Sequence, residues 1–479
     1  MESFTTVPLP LTTEAETICA PATAPGGALS IIRISGPEAI PIAESICKKN
    51  KAERCNHESQ NCVSRCTTAT LPPNTIHYVH IVDTSGELID ECLVSIFRGP
   101  HSYTGEDSVE ISCHGSRYIT NKLLELLVQK GCRMAEPGEF TKRAYLNGKM
   151  DLSQAEAVAD LIASTNAATH KMALSQLRGN FSSELATLRD NLLRMTSLLE
   201  LELDFSDHED LEFADRSELL ELANNIDNKI QRLAHSFETG NAVKQGIPVA
   251  IIGKTNVGKS TLLNHLVGEE KAIVSEIHGT TRDVIEDTTI INGVTFRFID
   301  TAGIRHTNDK IEQLGIERTY KKLREASIII WLIDEAPTNK EVDDITQQTQ
   351  GKSLIIVRNK IDKSPALQYD VTLPHTPLPI SAKHGQGLAK LEEAIYQAAD
   401  IPAFSENDVI VTSARHYEAL THAANSIRRV IDGLHNNLPG DLLAEDLRLC
   451  INHLSDITGG QITPQETLNN IFQHFCVGK

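Results

Sequence analysis

The chain has 479 residues and no apolar run near the roughly 18 to 20 residues that a membrane helix requires, so no membrane-spanning helix is expected. A basic excess is also missing: 45 Lys and Arg against 64 Asp and Glu leave a formal net charge of −19. That balance excludes a broad basic surface gripping nucleic acid by itself, because phosphate contacts need clustered cations; any RNA contact is expected to be local or shared with a partner. The N-terminal stretch MESFTTVPLPLTTEAETICA has no basic start followed by an apolar segment, so no secretory signal is expected, and the expected location is the cytoplasm. The 10 cysteines are read as reduced thiols. Cys47, Cys55, Cys62 and Cys66 cluster with His57, but their spacing fits none of the short paired-ligand patterns of zinc; a polar loop with thiols and a metal site are both open. There is no internal repeat, no long low-complexity run, no GXXG-centred RNA-binding pattern and no basic tail.

Present instead is a globular composition, 40% hydrophobic, in a chain long enough for about three domains of roughly 150 residues each. Residues 1–148 mix short β-rich runs such as ALSIIRIS, IHYVHIV and ECLVSIFRG with Gly and Pro punctuation, which predicts an α+β domain. Within them the polar, aperiodic stretch from Lys48 to Pro73 is expected to be a mobile loop. Residues 149–245 carry Leu- and Ala-rich segments with apolar positions every three to four residues, as in DLSQAEAVADLIA and ELATLRDNLLRMTSLLELEL, and read as helices packed on helices. Residues 246–400 alternate strand and helix patterns, an α/β domain, and helical periodicity returns over 401–479. The fold class expected is therefore multidomain, with one helical domain split in sequence around an inserted α/β domain.

Four motifs stand in order in that α/β stretch: GKTNVGKS from Gly253, GTTRD from Gly279, DTAG from Asp300 and NKID from Asn359. The first follows the apolar run PVAIIG and opens a helix, the context a phosphate loop requires. Its glycines let backbone N–H groups face phosphates, Lys259 reaches the β and γ oxygens, and the Ser260 hydroxyl ligates magnesium; Asn256, Val257, Gly258 and Thr261 complete the loop's contacts. Asp300 is placed to reach magnesium through water and the Gly303 amide to meet the γ-phosphate, with Thr301 and Ala302 between them. Either Thr280 or Thr281, beside Gly279, completes the metal shell, so the γ-phosphate decides whether that loop is ordered. Asp362 can accept two hydrogen bonds from guanine N1 and N2, which adenine does not offer, while Asn359 and the Lys360 stem frame the base; Ser381 and Ala382 add contacts to it. The ordered set reads as a Ras-like P-loop domain that binds and hydrolyses GTP.

After DTAG, Ras-like switches place a Gln that orients water, whereas this chain has Ile304, which can neither donate nor accept. Another group must hold the water. Glu312 is a candidate, with a solvated helix carboxylate as the competing reading, and Asn256 could ligate an additional monovalent cation.

GKTNVGKSTLLN, GTTRD, DTAGIR, EQLGIER, YTGEDSVEISCHG, PGEFTKRAYLNGKMDLSQAEAVADLI and the terminal FCVGK together resemble the tRNA modification GTPase family MnmE, also called TrmE, over nearly the whole chain. The resemblance implies an N-terminal domain (1–148) that binds folate and dimerises, a helical domain (149–245 and 401–479, the latter ending in the Cys-x-Gly-Lys motif), and an inserted GTPase domain (246–400) whose copies meet when potassium binds. It also implies potassium ligation by Asn256, Ser275, Ile277 and Thr280, magnesium ligation by Ser260 and Thr281, GTP contacts from the whole first switch including Glu276 and His278, and a catalytic, water-orienting Glu312. Arg33, Glu110, Lys149 and Lys479 match the family's folate contacts, and Cys476 carries a candidate reactive thiol, a packed thiol being the other reading. The cofactors implied are GTP, Mg2+, K+ and a reduced folate of the 5-formyl- or 5,10-methylene-tetrahydrofolate type. The partners implied are a second copy of the chain, an MnmG-like flavoprotein carrying FAD, and tRNA, with neither membrane nor DNA. The implied reaction is modification of carbon 5 of the tRNA wobble uridine. The sequence departs from the family pattern at Lys254-Thr255, usually Arg-Pro, at Glu136, commonly Arg, and in a local insertion from Cys47 to Cys66. Two rival readings are a ribosome-assembly GTPase switch and a GTP-gated scaffold that needs no folate.

Overall fold

The computed structural model describes residues 16–48, 74–204, 216–268, 287–299, 324–363, 371–401, 408–460, 465–473, 475–476 and 478. They belong to two compact units: Met1–Ala159 together with Ser455–Lys479, and Asp160–Leu454.

In the first unit the elements run β1 (Ile18–Pro21), β2 (Leu29–Ser35), α1 (Ala39–Ile46), β3 (Cys47–Lys48), β4 (Thr75–Val82), β5 (Leu88–Phe97), β6 (Ser108–His114), α2 (Arg117–Gln129), β7 (Arg133–Met134), α3 (Glu139–Leu146) and the start of α4 (Leu152–Ala163). The strands form one sheet in the order β3-β4-β5-β6-β2-β1-β7. Neighbours are antiparallel except β1 and β7. Burial alternates along the strands: in β5, Cys92, Val94 and Ile96 point inward while Glu91 and Leu93 stay exposed. Period-two patterning is what a sheet with one covered face demands. The cover is α1 and α2, whose Ile40, Ala43, Ile46, Leu123, Leu126 and Leu127 join the strand side chains in one core. A second cluster ties Leu152 and Ala155 to Leu468 and Phe472 of the final helix, Gln465–Phe472. Gly138 makes that approach feasible: it takes φ 67°, and a Cβ there would lie 2.7 Å from the Phe472 carbonyl oxygen.

Beside this cluster the buried Glu139 is held by Arg133 through two bonds, 2.6 and 3.1 Å, by Arg143 at 3.0 Å and by the Glu136 amide at 2.8 Å. Burial works against its charge, but Arg133, the Glu136 amide and Arg143 outweigh it and hold the carboxyl below its ordinary range. Glu136 thus contributes through its backbone.

The second unit begins with the remainder of α4, then α5 (Ala167–Leu177), α6 (Asn180–Asp204) and α7 (Arg216–Gln245). There follow β8 (Ile247–Ile252), α8 (Lys259–Val267), β9 (Asp287–Ile291), β10 (Val294–Phe298), β11 (Ile328–Ile333), α9 (Asn339–Gln348), β12 (Ser353–Arg358), β13 (Leu378–Pro379), α10 (Leu388–Ala398), α11 (Ala414–His435) and most of α12 (Gly440–Thr458). The sheet order is β13-β12-β11-β8-β10-β9, parallel throughout except β9 with β10. Every residue of β11 is buried, as a parallel strand covered on both faces requires. One face packs Val249, Ile251 and Ile330 on Leu262, Leu263 and Leu391. The other packs Ala250, Ile252, Ile329 and Trp331 on Val342.

Helices from before and after this sheet in the chain meet one another. Phe237 of α7 stacks on Tyr417 of α11 with ring centroids 4.6 Å apart, and the Val411 amide donates to Ser236 Oγ at 3.0 Å. Gly240 permits the contact, since a Cβ there would stand 2.3 Å from the Val411 carbonyl oxygen. Among the described residues no helix is long and apolar enough to cross a membrane.

Candidate functional site

The phosphate loop leaves the end of β8 and enters α8. Gly253 takes φ 150° with the Leu332 carbonyl oxygen 2.3 Å from where a Cβ would be, so the loop turns directly over the adjoining β11 strand. Asn256 is left-handed at φ 61°, a conformation Asn tolerates better than most side chains, and Gly258 at φ 108° caps α8. The first amides of α8 have no acceptor within the helix, and with the helix dipole they suit a polyphosphate. Lys259 Nζ donates to the carbonyls of Gly253 and Lys254, both at 2.7 Å, which folds the ammonium over the loop. Ser260 sits in the first turn of α8, where its hydroxyl can serve a phosphate-bound magnesium.

Asn359, at the end of β12 and 5% exposed, joins two loops. Its Nδ2 donates to the Val257 carbonyl at 2.8 Å, and its Oδ1 accepts from the Ala382 amide at 2.9 Å. The structure thus ties the phosphate loop to the Ser381–Ala382 turn through one side chain, a role the sequence reading did not give Asn359. Lys360, left-handed at φ 63°, pairs with Asp334 at 2.7 Å. Asp334 was missed; its signal is its place immediately after the apolar β11 run. Asp362 Oδ1 accepts from Ser381 Oγ at 2.7 Å, and this bond, helped by His384, keeps the carboxyl below its usual range and ready to receive N–H donors at neutral pH. Lys254 pairs with Glu341 at 2.9 Å.

Ser275, Glu276, Ile277, His278, Gly279, Thr280, Thr281, Asp300, Thr301, Ala302, Gly303, Ile304 and Glu312 lie outside the described residues, as do Cys55, His57, Cys62, Cys66 and Lys479. Among the described residues no group of three or more His, Cys, Asp or Glu could hold a metal ion. Cys19, Cys47, Cys92, Cys113, Cys132, Cys450 and Cys476 are free thiols.

In the first unit Arg33 and Glu110 stand opposite one another on β2 and β6. Arg33 Nε and Nη2 both reach Glu110 Oε1, at 2.9 and 2.7 Å, and Arg33 Nη1 donates to the Gly478 carbonyl at 3.2 Å. The guanidinium lies 5.3 Å from the centre of the Tyr103 ring and 5.7 Å from that of Phe140. Tyr103, whose hydroxyl shares a 2.8 Å bond with Thr141 Oγ1, has its pKa raised by burial. Lys149 Nζ donates to the Pro100 carbonyl at 2.8 Å, in the loop that also carries Tyr103. Gly478 fits only as glycine: at φ 91°, its Cβ would lie 2.1 Å from the Pro21 carbonyl oxygen. Cys476, two residues before it, is exposed, and its carbonyl accepts from the Gly138 amide at 3.4 Å. Arg33, Glu110 and Gly478 are therefore brought together. Tyr103, Phe140 and Gly478 were not foreseen, because nothing in their local sequence marks them as partners of Arg33.

Comparison with known proteins adds an independent line. A family model described as the N-terminus of the GTP-binding protein TrmE matches residues 17–149, and one described as the MnmE helical domain matches residues 152–476. The chain is similar to the tRNA modification GTPase MnmE of Phocaeicola vulgatus, 54% identical over 97% of this chain and 99% of that protein. The protein of the same name from Porphyromonas gingivalis is 48% identical over 97% and 98%. Among solved structures, the G domain of the T. maritima FeoB iron transporter is 22% identical over 32% of this chain and 98% of its own, with a TM-score of 0.24.

Proposed function

The chain belongs to the MnmE family of tRNA modification GTPases, and from that premise we propose that it is a potassium-activated GTP hydrolase that modifies carbon 5 of the tRNA wobble uridine with an MnmG-like flavoprotein. The group installed is of the carboxymethylaminomethyl or aminomethyl type, its one-carbon unit comes from a reduced folate, and FAD resides on the partner. The protein acts as a homodimer in the cytoplasm. Residues 1–148 bind folate and dimerise, 149–245 and 401–479 form a split helical domain, and 246–400 are the inserted GTPase domain.

The observation that carries this reading is the presence, in one chain, of a phosphate loop tied through Asn359 to the NKID and Ser381 turns and of an Arg33–Glu110–Gly478 cluster, which a nucleotide switch alone does not need. Bound GTP, magnesium and potassium supply the phosphoanhydride and the positive charge that offsets charge developing on the phosphoryl group. The α8 amides and Lys259 orient the phosphates; Ser260 and Thr281 would hold magnesium, and Asn256, Ser275, Ile277 and Thr280 would hold potassium. Asp300 would help hold the magnesium. Glu312 orients the attacking water that Ile304 cannot, and Asp362 reads guanine. Arg33, Lys149 and Lys479 suit the carboxylates of a folate tail, and Glu110 can accept from the pterin edge.

The test is nucleoside analysis of tRNA from cells lacking the chain, complemented with wild type or Asp300→Ala. Loss of the modified wobble uridine, restored by wild type alone, is the expected result. Unchanged nucleosides would overturn it and favour a ribosome-assembly switch.

A further inference from the structure

The helices α6 and α7 of the second unit enclose a groove of about 490 Å³ lined by Asn191, Leu222, Asn225, Asn228, Lys229 and Arg232. No carboxylate lines it, in a chain that carries 64 Asp and Glu against 45 Lys and Arg. Among the described residues neither Lys229 nor Arg232 pairs with an acid, and the same holds for Arg194, three residues beyond Asn191 on α6. The one acid within 222–232, Asp227, is engaged elsewhere: Arg428 lies 3.8 Å away and Gln231 donates to it at 3.2 Å. Spacings of three and four residues put Leu222, Asn225, Asn228, Lys229 and Arg232 on one face of α7.

We infer that this groove binds the sugar-phosphate backbone of the tRNA substrate. The inference rests on the tRNA-modifying reading above and extends it by naming the surface. An RNA backbone needs cations for its phosphates and groups that both donate and accept for its 2′-hydroxyls; two cations and three carboxamides supply both. Leu222 offers an apolar contact for a ribose. The net charge of −19 argues against a broad basic footprint and favours recognition through local cations that no carboxylate neutralises, and here two of them share a groove with amides.

The experiment uses the full chain and fluorescently labelled tRNA, with anisotropy titrations over a range of salt. Lys229→Ala/Arg232→Ala should weaken binding at least about tenfold and lower the slope of log K against log salt by about one per cation removed. Asn225→Ala/Asn228→Ala should weaken binding and leave the slope unchanged. GTP hydrolysis without tRNA reports that each variant is folded, and it should match wild type. Wild-type binding with unchanged affinity and slope in both variants overturns the groove. Failure of the wild type to bind tRNA at all, alone or with the flavoprotein present, instead overturns the tRNA reading on which the groove depends.

Discussion

The nucleotide site and the Arg33 cluster differ in how the chain assembles them. The first draws on 253–260, 334, 359–362 and 381–382, short stretches that follow the ends of parallel strands. The second joins Arg33 to Gly478, residues 445 apart in sequence, with Glu110 between them. A doubly wound parallel sheet delivers its loops to the carboxyl ends of its strands, so each loop can hold a complete motif and still meet the others. An antiparallel sheet brings residues together by register instead, and register leaves no contiguous signature. The difference teaches that a site's legibility depends on the connectivity of the sheet that carries it.

Four measurements would break or sharpen this contrast. The largest effect is expected from Gly258→Val. Its Cβ would lie 2.3 Å from Asn359 Nδ2 at φ 108°, and backbone strain of about 1–3 kcal/mol adds to the clash. Fluorescent-nucleotide titration should show affinity lower by more than about a hundredfold; wild-type affinity would mean that the contiguous loop does not need its glycine geometry.

Glu139→Gln tests the first unit's own charged network. Replacing a buried, doubly paired carboxylate should cost about 2 kcal/mol, less than a fully dry pair because Arg133 is partly exposed. The folded pKa is lowered, so this stabilisation is complete above the unfolded value of about 4.3 and is lost as pH falls through the folded value. Urea denaturation at neutral pH should separate wild type from variant, and the two curves should converge in acid. A constant difference across that range would remove the ionised carboxylate as the cause.

Arg33→Ala removes charge-assisted bonds to Glu110 and the bond to Gly478. Calorimetry with 5-formyltetrahydrofolate should show affinity weaker by about thirtyfold, with GTP turnover unchanged. Equal folate binding would detach the dispersed cluster from the ligand proposed for it. Asn359→Ala should have the smallest effect, about tenfold in nucleotide affinity, by leaving the Val257 carbonyl and Ala382 amide without their shared partner. A loss confined to guanine discrimination, with phosphate binding intact, would show that it frames the base rather than joining the loops.

Particular residues show how far the sequence could be read. Lys259, Ser260 and Asp362 were found because chemistry and spacing coincide in one short run each. Arg33, Glu110 and Lys149 were reached through family resemblance alone; as isolated residues they look like exposed strand and turn positions. Asp334 lay one step beyond a recognisable strand and was passed over. The α6–α7 groove gave no sequence signal, because Asn191 and Lys229 become neighbours only when two helices pack.

By itself the sequence determined the order of elements, the GTP-type motif set and the family, since these rest on local patterns of apolar period and on residues adjacent in the chain. Tertiary structure alone decided that Asn359 joins the phosphate loop to the Ser381 turn, that Gly478 reaches Arg33, and that two unneutralised cations on α7 share a groove with Asn191. Each of those depends on how distant loops, the C-terminal segment or packed helices meet in the folded chain, which no stretch of sequence encodes alone.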